Sequence, residues 1–265
     1  MAKCLYPITI GQRDGLKKWK VVPCGKCVPC KRRRQSAWSF RLLQEMQHSM
    51  SAAFLTLTYD DNHLTYGEVW PTLVKRDLQL FMKRLRKTHH KYSDDKLVYY
   101  ACGEYGEQTF RPHYHMILFN LVPHMMFDEI LARIWKMGNV RVDSCNIKTI
   151  QYTSKYVMKH RQVPEGLQPE FSLMSKGIGA NFLTEQVKKY YKDGEIPYVI
   201  WKDGQKMTMP RYYKERIFDE EQLRRFGKEA LAEIEPKMLD PDVIHQINIS
   251  NKMLKQKRNE RRGKI

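Results

Sequence analysis

The sequence predicts an α+β fold built on an antiparallel sheet with helices packed against it. Three observations lead there: β-type segments interleave with segments of helical period, two neighbouring strand segments are joined by a short turn, and no internal repeat is present. A hydrophobic content of 42% over 265 residues is enough to supply a core.

The elements follow in chain order. Cys4 to Cys30 reads as a loop-rich segment ending in Pro23-Cys24-Gly25-Lys26-Cys27-Val28-Pro29-Cys30, and the basic run Lys31-Arg32-Arg33-Arg34 comes next. After it, Trp38, Leu42, Met46 and Met50 recur every four residues, the apolar stripe of one helix. Phe54 to Tyr59 is β-branched and aromatic and is broken by Asp60-Asp61-Asn62, a strand ending in a turn. Val74, Leu78, Phe81, Met82 and Leu85 form one helix face, and Lys75, Arg76, Lys83, Arg84, Arg86 and Lys87 take much of the remainder. Leu97 to Gly103 and His113 to Phe119 are strands separated by the turn Gly106 to Pro112, which predicts an antiparallel hairpin. Met126 to Met137 is a helix stopped by Gly138, Val140 to Cys145 a short strand, and Ile150 to His160 a helix with Ile150, Thr153 and Val157 facing inward. Tyr198 to Met209 predicts a hairpin around Asp203-Gly204, and Asp219 to Lys257 is polar, charged and helical. The expected organisation is a Cys-rich N-terminal segment and helix over 1–50, a catalytic core over 51–217, and a basic helical tail over 218–265.

Charge narrows the partners. Lys and Arg number 47 against 29 Asp and Glu, a formal net charge of +18, and polyanions are the natural ligands of such a surface. No apolar run is long enough to span a bilayer and the N-terminus lacks a signal-peptide layout, so neither secretion nor membrane insertion is expected. Six cysteines in a cytoplasmic protein stay reduced, so Cys24, Cys27 and Cys30, with Cys4 as a fourth ligand, suit a structural zinc site rather than disulfides.

Two constellations carry chemistry. In His113-Tyr114-His115 the imidazoles, two residues apart on a strand, point to one face and converge on one point. A third ligand is wanted, and Glu104, near the strand end that lies beside His113 in an antiparallel hairpin, is the first choice ahead of Glu107. A nitrogen and oxygen set with exchangeable positions suits Mg or Mn. The second constellation is Tyr152-x-x-Lys155-Tyr156-x-x-Lys159. Its tyrosines differ by only about 40° around a helix, so both hydroxyls reach one site, and Lys155 and Lys159 supply cations that favour an ionised phenol.

The strand ending at Asp61, then Arg111-Pro112-His113-Tyr114-His115, then the doubled Tyr-x-x-Lys motif, together resemble the HUH-type rolling-circle replication initiators. The tyrosine pair narrows the likeness to microviruses, small single-stranded DNA bacteriophages, and Pro-Cys-Gly-Lys-Cys-x-x-Cys before the helix resembles their gokushovirus branch. The resemblance runs from about residue 20 to 213 and includes Ser175-Lys176-Gly177-Ile178-Gly179. It implies an HUH endonuclease sandwich with the histidines on a central strand and the tyrosine helix across the metal. It implies nicking of one strand at the viral origin, with a tyrosine of Tyr152 and Tyr156 becoming linked to a 5'-phosphate, and with His113, His115 and Glu104 holding Mg or Mn. Arg32, Arg33, Arg34, Lys83, Arg84, Lys87 and Arg111 would meet single-stranded DNA, host helicase and polymerase would extend the primer, and the place of action would be the bacterial cytoplasm. A zinc-stabilised nucleic-acid-binding protein without catalysis, a plasmid or transposon relaxase of the same chemistry, and a metal-dependent hydrolase are the alternatives.

Overall fold

A computed structural model describes residues 4–10, 20–155, 163–201 and 204–232. The chain forms two compact units, one of Met1–Lys31 with Lys188–Ile265 and one of Arg32–Val187. The fold is mixed α+β: among the described residues there are seven α-helices and a five-stranded antiparallel sheet.

The first unit holds two small hairpins. Strands β1 (Ile8–Ile10) and β2 (Lys20–Val22) pair antiparallel, as do β8 (Tyr198–Ile200) and β9 (Lys206–Thr208), the hairpin expected from Asp203-Gly204. Helices α6 (Arg211–Ile217) and α7 (Glu220–Ala232) belong here, and α7 covers the described part of the expected polar helix over Asp219 to Lys257.

The second unit is built on strands β3 (Ala52–Thr58), β4 (Val98–Tyr105), β5 (Pro112–Phe119), β6 (Val140–Ser144) and β7 (Phe171–Met174), in the order β6-β3-β5-β4-β7. Alternation splits their side chains between two faces. One face presents Leu55, Leu57, Ala101, Tyr114, Met116 and Leu118. It packs on Leu78, Phe81, Met82 and Leu85 of helix α2 (Lys75–His89) and on Leu131, Ile134 and Trp135 of α3 (Asp128–Trp135). Those are the α2 residues the period singled out, with Val74 at the N-cap.

The opposite face carries Phe54, Tyr100, Glu104, His113 and His115 and is covered by α1 (Val28–His48) and α4 (Ile147–Lys155). Trp38 of α1 lies 5.1 Å from Tyr100 between ring centroids, and Ser39 of α1 meets Ser154 of α4 at 2.7 Å between hydroxyls. The central sheet is thus sandwiched between helices, with a mainly polar cluster at one end of the α1 and α4 side.

Several expectations are corrected. The run Lys31 to Arg34 does not precede the first helix but lies inside it, because Val28-Pro29-Cys30 already forms its first turn. The buried residues of α1 are Cys30, Ser39, Phe40, Leu42, Leu43 and Glu45, whereas Met50 is exposed beyond the helix end. Glu45 tolerates burial by accepting the Gly179 amide at 2.6 Å. Helix α3 begins at Asp128, and Phe127, expected inside it, is its exposed N-cap. It ends before Lys136, whose φ of 66° turns the chain in the left-handed region, so Gly138 is not the stop. Gly138 serves a close approach instead: its φ is +139°, and a Cβ there would lie 2.4 Å from the Thr58 carbonyl oxygen and 2.5 Å from the Asp60 nitrogen. The expected loops over Cys4 to Cys30 hide β1 and β2, and β7 was not expected at all.

Candidate active site

The site follows from the register of the β4–β5 hairpin. Glu104 stands opposite His113 and Cys102 opposite His115, so glutamate and both histidines share one face at one strand end. His113 Nε2 is 2.8 Å and His115 Nε2 3.1 Å from the same oxygen, Glu104 Oε1. One donor atom from each residue lies within 4.8 Å of the others. Glu104 and His115 are buried and His113 is half-buried.

The outer ring nitrogens are held as well. His113 Nδ1 is 3.2 Å from the Arg111 carbonyl oxygen, which can only accept, so Nδ1 carries the proton. His115 Nδ1 lies 3.2 Å from Thr56 Oγ1, and Thr56 is its register partner across β3 and β5. With Nδ1 protonated, a neutral His113 turns the lone pair of Nε2 toward a carboxylate that also only accepts. That juxtaposition is repulsive unless a positive charge, a second ring proton or a cation, sits between them. Burial works against charge on Glu104, yet the hydrogen bonds and charge of His113 and His115 outweigh it and hold its carboxyl below the usual range. Two imidazoles and an ionised carboxylate, with the rings fixed from behind, are a donor set fitted to a divalent cation.

Helix α4 brings the tyrosine. Asn146 Oδ1 accepts the amides of Lys148 and Thr149 at 2.8 and 3.1 Å, and Thr149 Oγ1 accepts the Asn146 amide at 2.8 Å, a reciprocal N-terminal cap. Ile150 and Thr153 are buried, as the period requires, and Ser154 with them. Tyr152 is 45% exposed, its ring edge-on to His115 at 5.5 Å and to Phe54 at 6.3 Å. Phe54 in turn stacks on His115 at 5.4 Å. Lys155 is exposed at the helix end, while Val157, Tyr156 and Lys159 lie outside the described residues.

The expected DNA-contacting residues divide into two groups. Arg32, Arg34, Lys83 and Lys87 reach solvent, Arg32, Lys83 and Lys87 fully or in part, and Arg33 is less exposed. Arg84 donates to the carbonyls of Ile134 and Trp135 at 2.7 and 2.8 Å, closing the end of α3. Arg111 donates to Asp61 Oδ1 at 2.5 Å and to the Tyr59 carbonyl at 2.9 Å, tying the hairpin turn to the end of β3. Beside the site a groove of about 450 Å³ opens between β3, β6 and α3, lined by Thr56, Thr58, Asn139 and Arg141 among others. Sequence reasoning missed Thr56 and Phe54, whose roles depend on a pairing between strands more than fifty residues apart.

A second cluster lies in the first unit. Cys4, Cys24, Cys27 and Cys30 place their sulfurs within 4.8 Å of one another, and Cys4, Cys27 and Cys30 are buried. Burial raises the thiols of Cys4 and Cys30. It opposes ionisation of Cys24 too, but amide hydrogen bonds from Cys27 and Lys26 bring that thiol down to about 6.

An antiparallel sheet bearing a His, His and Glu donor set at one strand end, beneath a helix that presents a tyrosine, describes a class of protein equipped to handle phosphate esters. The chain belongs to the family of phage replication-associated proteins: the family model for replication-associated protein ORF2 matches residues 52–161, from β3 past α4. It is 30% identical over 215 residues to replication-associated protein ORF2 of Spiroplasma virus 4, covering 74% of this chain and 67% of that protein. It is 28% identical to replication-associated protein VP4 of Bdellovibrio phage phiMH2K, covering 73% of this chain and 66% of that one. Against replication-associated protein ORF4 of Chlamydia phage 1 it is 27% identical, covering 74% and 53%. The chain therefore spans about two thirds of the length of the first two relatives and about half of the third. These relatives bear out the likeness to replication proteins of gokushovirus-type microviruses. No solved structure matches the chain.

Proposed function

We propose that this chain is an HUH-type replication initiator endonuclease that nicks one strand of viral origin DNA, starting and terminating rolling-circle replication. The observation that carries the reading is the convergence of Glu104, His113 and His115 on one point with the Tyr152 ring 5.5 Å from His115. Membership of a family of phage replication-associated proteins supports it.

Glu104, His113 and His115 would hold Mg or Mn, which when bound supplies charge stabilisation at a phosphate. The Arg111 carbonyl and Thr56 hold the two imidazoles in place through their outer nitrogens. A phenol near its ordinary pKa of about 10 is a weak nucleophile, and Lys155, followed by Lys159 in the sequence, adds positive charge that favours the phenolate. Tyr152 or Tyr156 attacks the phosphorus through its phenolic oxygen. A tyrosine oxygen to phosphorus bond forms, the phosphorus to O3' bond breaks, and the phenol proton balances the new 3'-hydroxyl. One phosphodiester replaces another, so no nucleotide hydrolysis is required. The freed 3'-hydroxyl primes synthesis by host helicase and polymerase in the bacterial cytoplasm. The second tyrosine cuts the regenerated origin, and the new 3'-hydroxyl attacks the first phosphotyrosine to release a circle. Arg32, Arg34, Lys83 and Lys87 supply phosphate contacts along the bound strand.

The test is a denaturing gel of the protein incubated with Mn and a labelled single strand carrying the origin. Wild type should give a protein-linked label that vanishes in the Tyr152→Phe, Tyr156→Phe double variant. Binding without cleavage in Mn or Mg would leave the non-catalytic zinc-stabilised binder as the better account. Cleavage without a linked label would point to hydrolysis by water.

A further inference from the structure

We propose that Cys4, Cys24, Cys27 and Cys30 bind a single structural zinc ion, a second metal centre whose chemistry differs wholly from that of the histidine and glutamate site. The argument starts from sulfur spacing. A tetrahedral ion with zinc to sulfur bonds of about 2.3 Å separates its sulfurs by about 3.8 Å. Cys27 Sγ and Cys4 Sγ are 3.8 Å apart, and all four sulfurs fall within 4.8 Å of one another. Four thiols gathered this tightly around one point match the edges of a single tetrahedron.

Other fates fit less well. A disulfide needs a sulfur separation of about 2.05 Å and joins sulfurs in pairs, whereas here all four are free and mutually adjacent. An iron–sulfur cluster places several irons and bridging sulfides between its thiolates, for which this spacing leaves no room. Four uncoordinated thiols would gain little from being packed together, since each is a weak hydrogen-bond donor and a weak acceptor.

The backbone is arranged for thiolates. The Cys24 amide donates to Cys4 Sγ at 3.2 Å and the Cys27 amide to Cys24 Sγ at 3.3 Å. Gly25 makes the turn between the two cysteines with a φ of +70°, which a glycine adopts without strain. Cys30 lies in the first turn of α1, where helix amides and the positive end of the helix dipole favour a negative sulfur. Cys4 comes from the far side of the β1–β2 hairpin, twenty residues before Cys24. An ion held by all four would fasten both ends of that hairpin to the start of α1. Such a staple suits a segment of three-residue strands that buries little apolar surface of its own.

The experiment uses the full chain, freed of weakly held cations by gel filtration in EDTA, with metal content read by mass spectrometry. One zinc per chain is expected. Cobalt exchanged into the site should give the intense thiolate charge-transfer absorption of a tetrahedral sulfur site. Cys4→Ser should lower zinc affinity at least tenfold and weaken that absorption, while a His113→Ala, His115→Ala double variant keeps the full zinc content. Alkylation of the wild-type chain provides a measurement that no folding defect can confuse. Cys4, Cys24, Cys27 and Cys30 should resist the reagent until a strong zinc chelator is added, then react. A chain isolated with no metal or with iron, zinc that leaves with the histidines, Cys4→Ser with unchanged affinity and spectrum, or alkylation indifferent to the chelator would each overturn the proposal.

Discussion

Replacing Gly138 with alanine tests how the end of β3 is held. The added Cβ would sit 2.4 Å from the Thr58 oxygen, 2.5 Å from the Asp60 nitrogen and 2.8 Å from the Tyr59 carbonyl carbon, all backbone atoms. Side-chain rotation cannot relieve these contacts, so either the end of β3 or the 137–139 segment must move. That displacement breaks the bonds from the Thr58 amide to the Asn139 carbonyl and from the Asp60 amide to the Met137 carbonyl, both 2.9 Å. The φ of +139° adds backbone strain of about 1–3 kcal/mol, and the steric clash about 1–3 kcal/mol more. The sum is about 2–6 kcal/mol, or a fall in Tm of roughly 5–20 °C for a chain of this size. Two controls separate the causes. Gly204→Ala has a φ of +79° but no atom within 4 Å of the new Cβ, and should cost about 1–2 kcal/mol from strain alone. Gly227→Ala lies in α7 with open space around it and should stabilise that helix by up to about 1 kcal/mol. Scanning calorimetry of the three variants reads the order. A Gly138→Ala chain that melts with wild type, or no lower than Gly204→Ala, refutes the reasoning.

Three further outcomes are expected. Thr56→Val keeps the shape of the threonine and removes the hydroxyl 3.2 Å from His115 Nδ1, so Mn affinity and nicking should fall about 10–100-fold with little change in Tm, read by titration calorimetry and gel. Arg84→Met should lower stability by about 2–3 kcal/mol in denaturant melts because the Ile134 and Trp135 carbonyls lose a charged donor, while Lys83→Met leaves stability alone and reduces the salt slope of DNA binding by about one. Tyr59→Phe removes the phenol that donates to Asp77 at 2.7 Å and meets the Tyr114 hydroxyl at 2.8 Å, and should cost about 1–3 kcal/mol in the same melts.

What the sequence disclosed was local. The β4–β5 hairpin closes over a six-residue turn, so pairing Glu104 with His113 requires only the strand period and a count across the turn. The apolar face of α2 was legible for the same reason, since helical period is a property of one segment. What depends on distant partners was not legible. Thr56 meets His115 only because β3 pairs with β5, and nothing near residue 56 announces that pairing. Arg84 and Arg111 read as cationic surface, yet each is engaged by carbonyls or a carboxylate brought from elsewhere in the chain. The basic run of α1 was set outside its helix because its Pro29 and Cys30 look like loop residues, although proline is well suited to a first helical turn. Gly138 was noticed as a helix stop, but its reason is the approach of the β3 backbone, which no local pattern encodes.

The most direct test of the central claim, that a tyrosine beside Glu104, His113 and His115 becomes joined to DNA, is to identify the joined residue. The adduct formed in Mn on an origin-bearing strand is digested with protease and nuclease, and the nucleotide-bearing peptide is sequenced by mass spectrometry. The account predicts a 5'-phosphate ester on Tyr152 or Tyr156, and its disappearance when Glu104 is replaced by alanine in a folded chain. A modified residue elsewhere in the protein, or cut DNA ending in a free 5'-phosphate with no modified peptide, would contradict it.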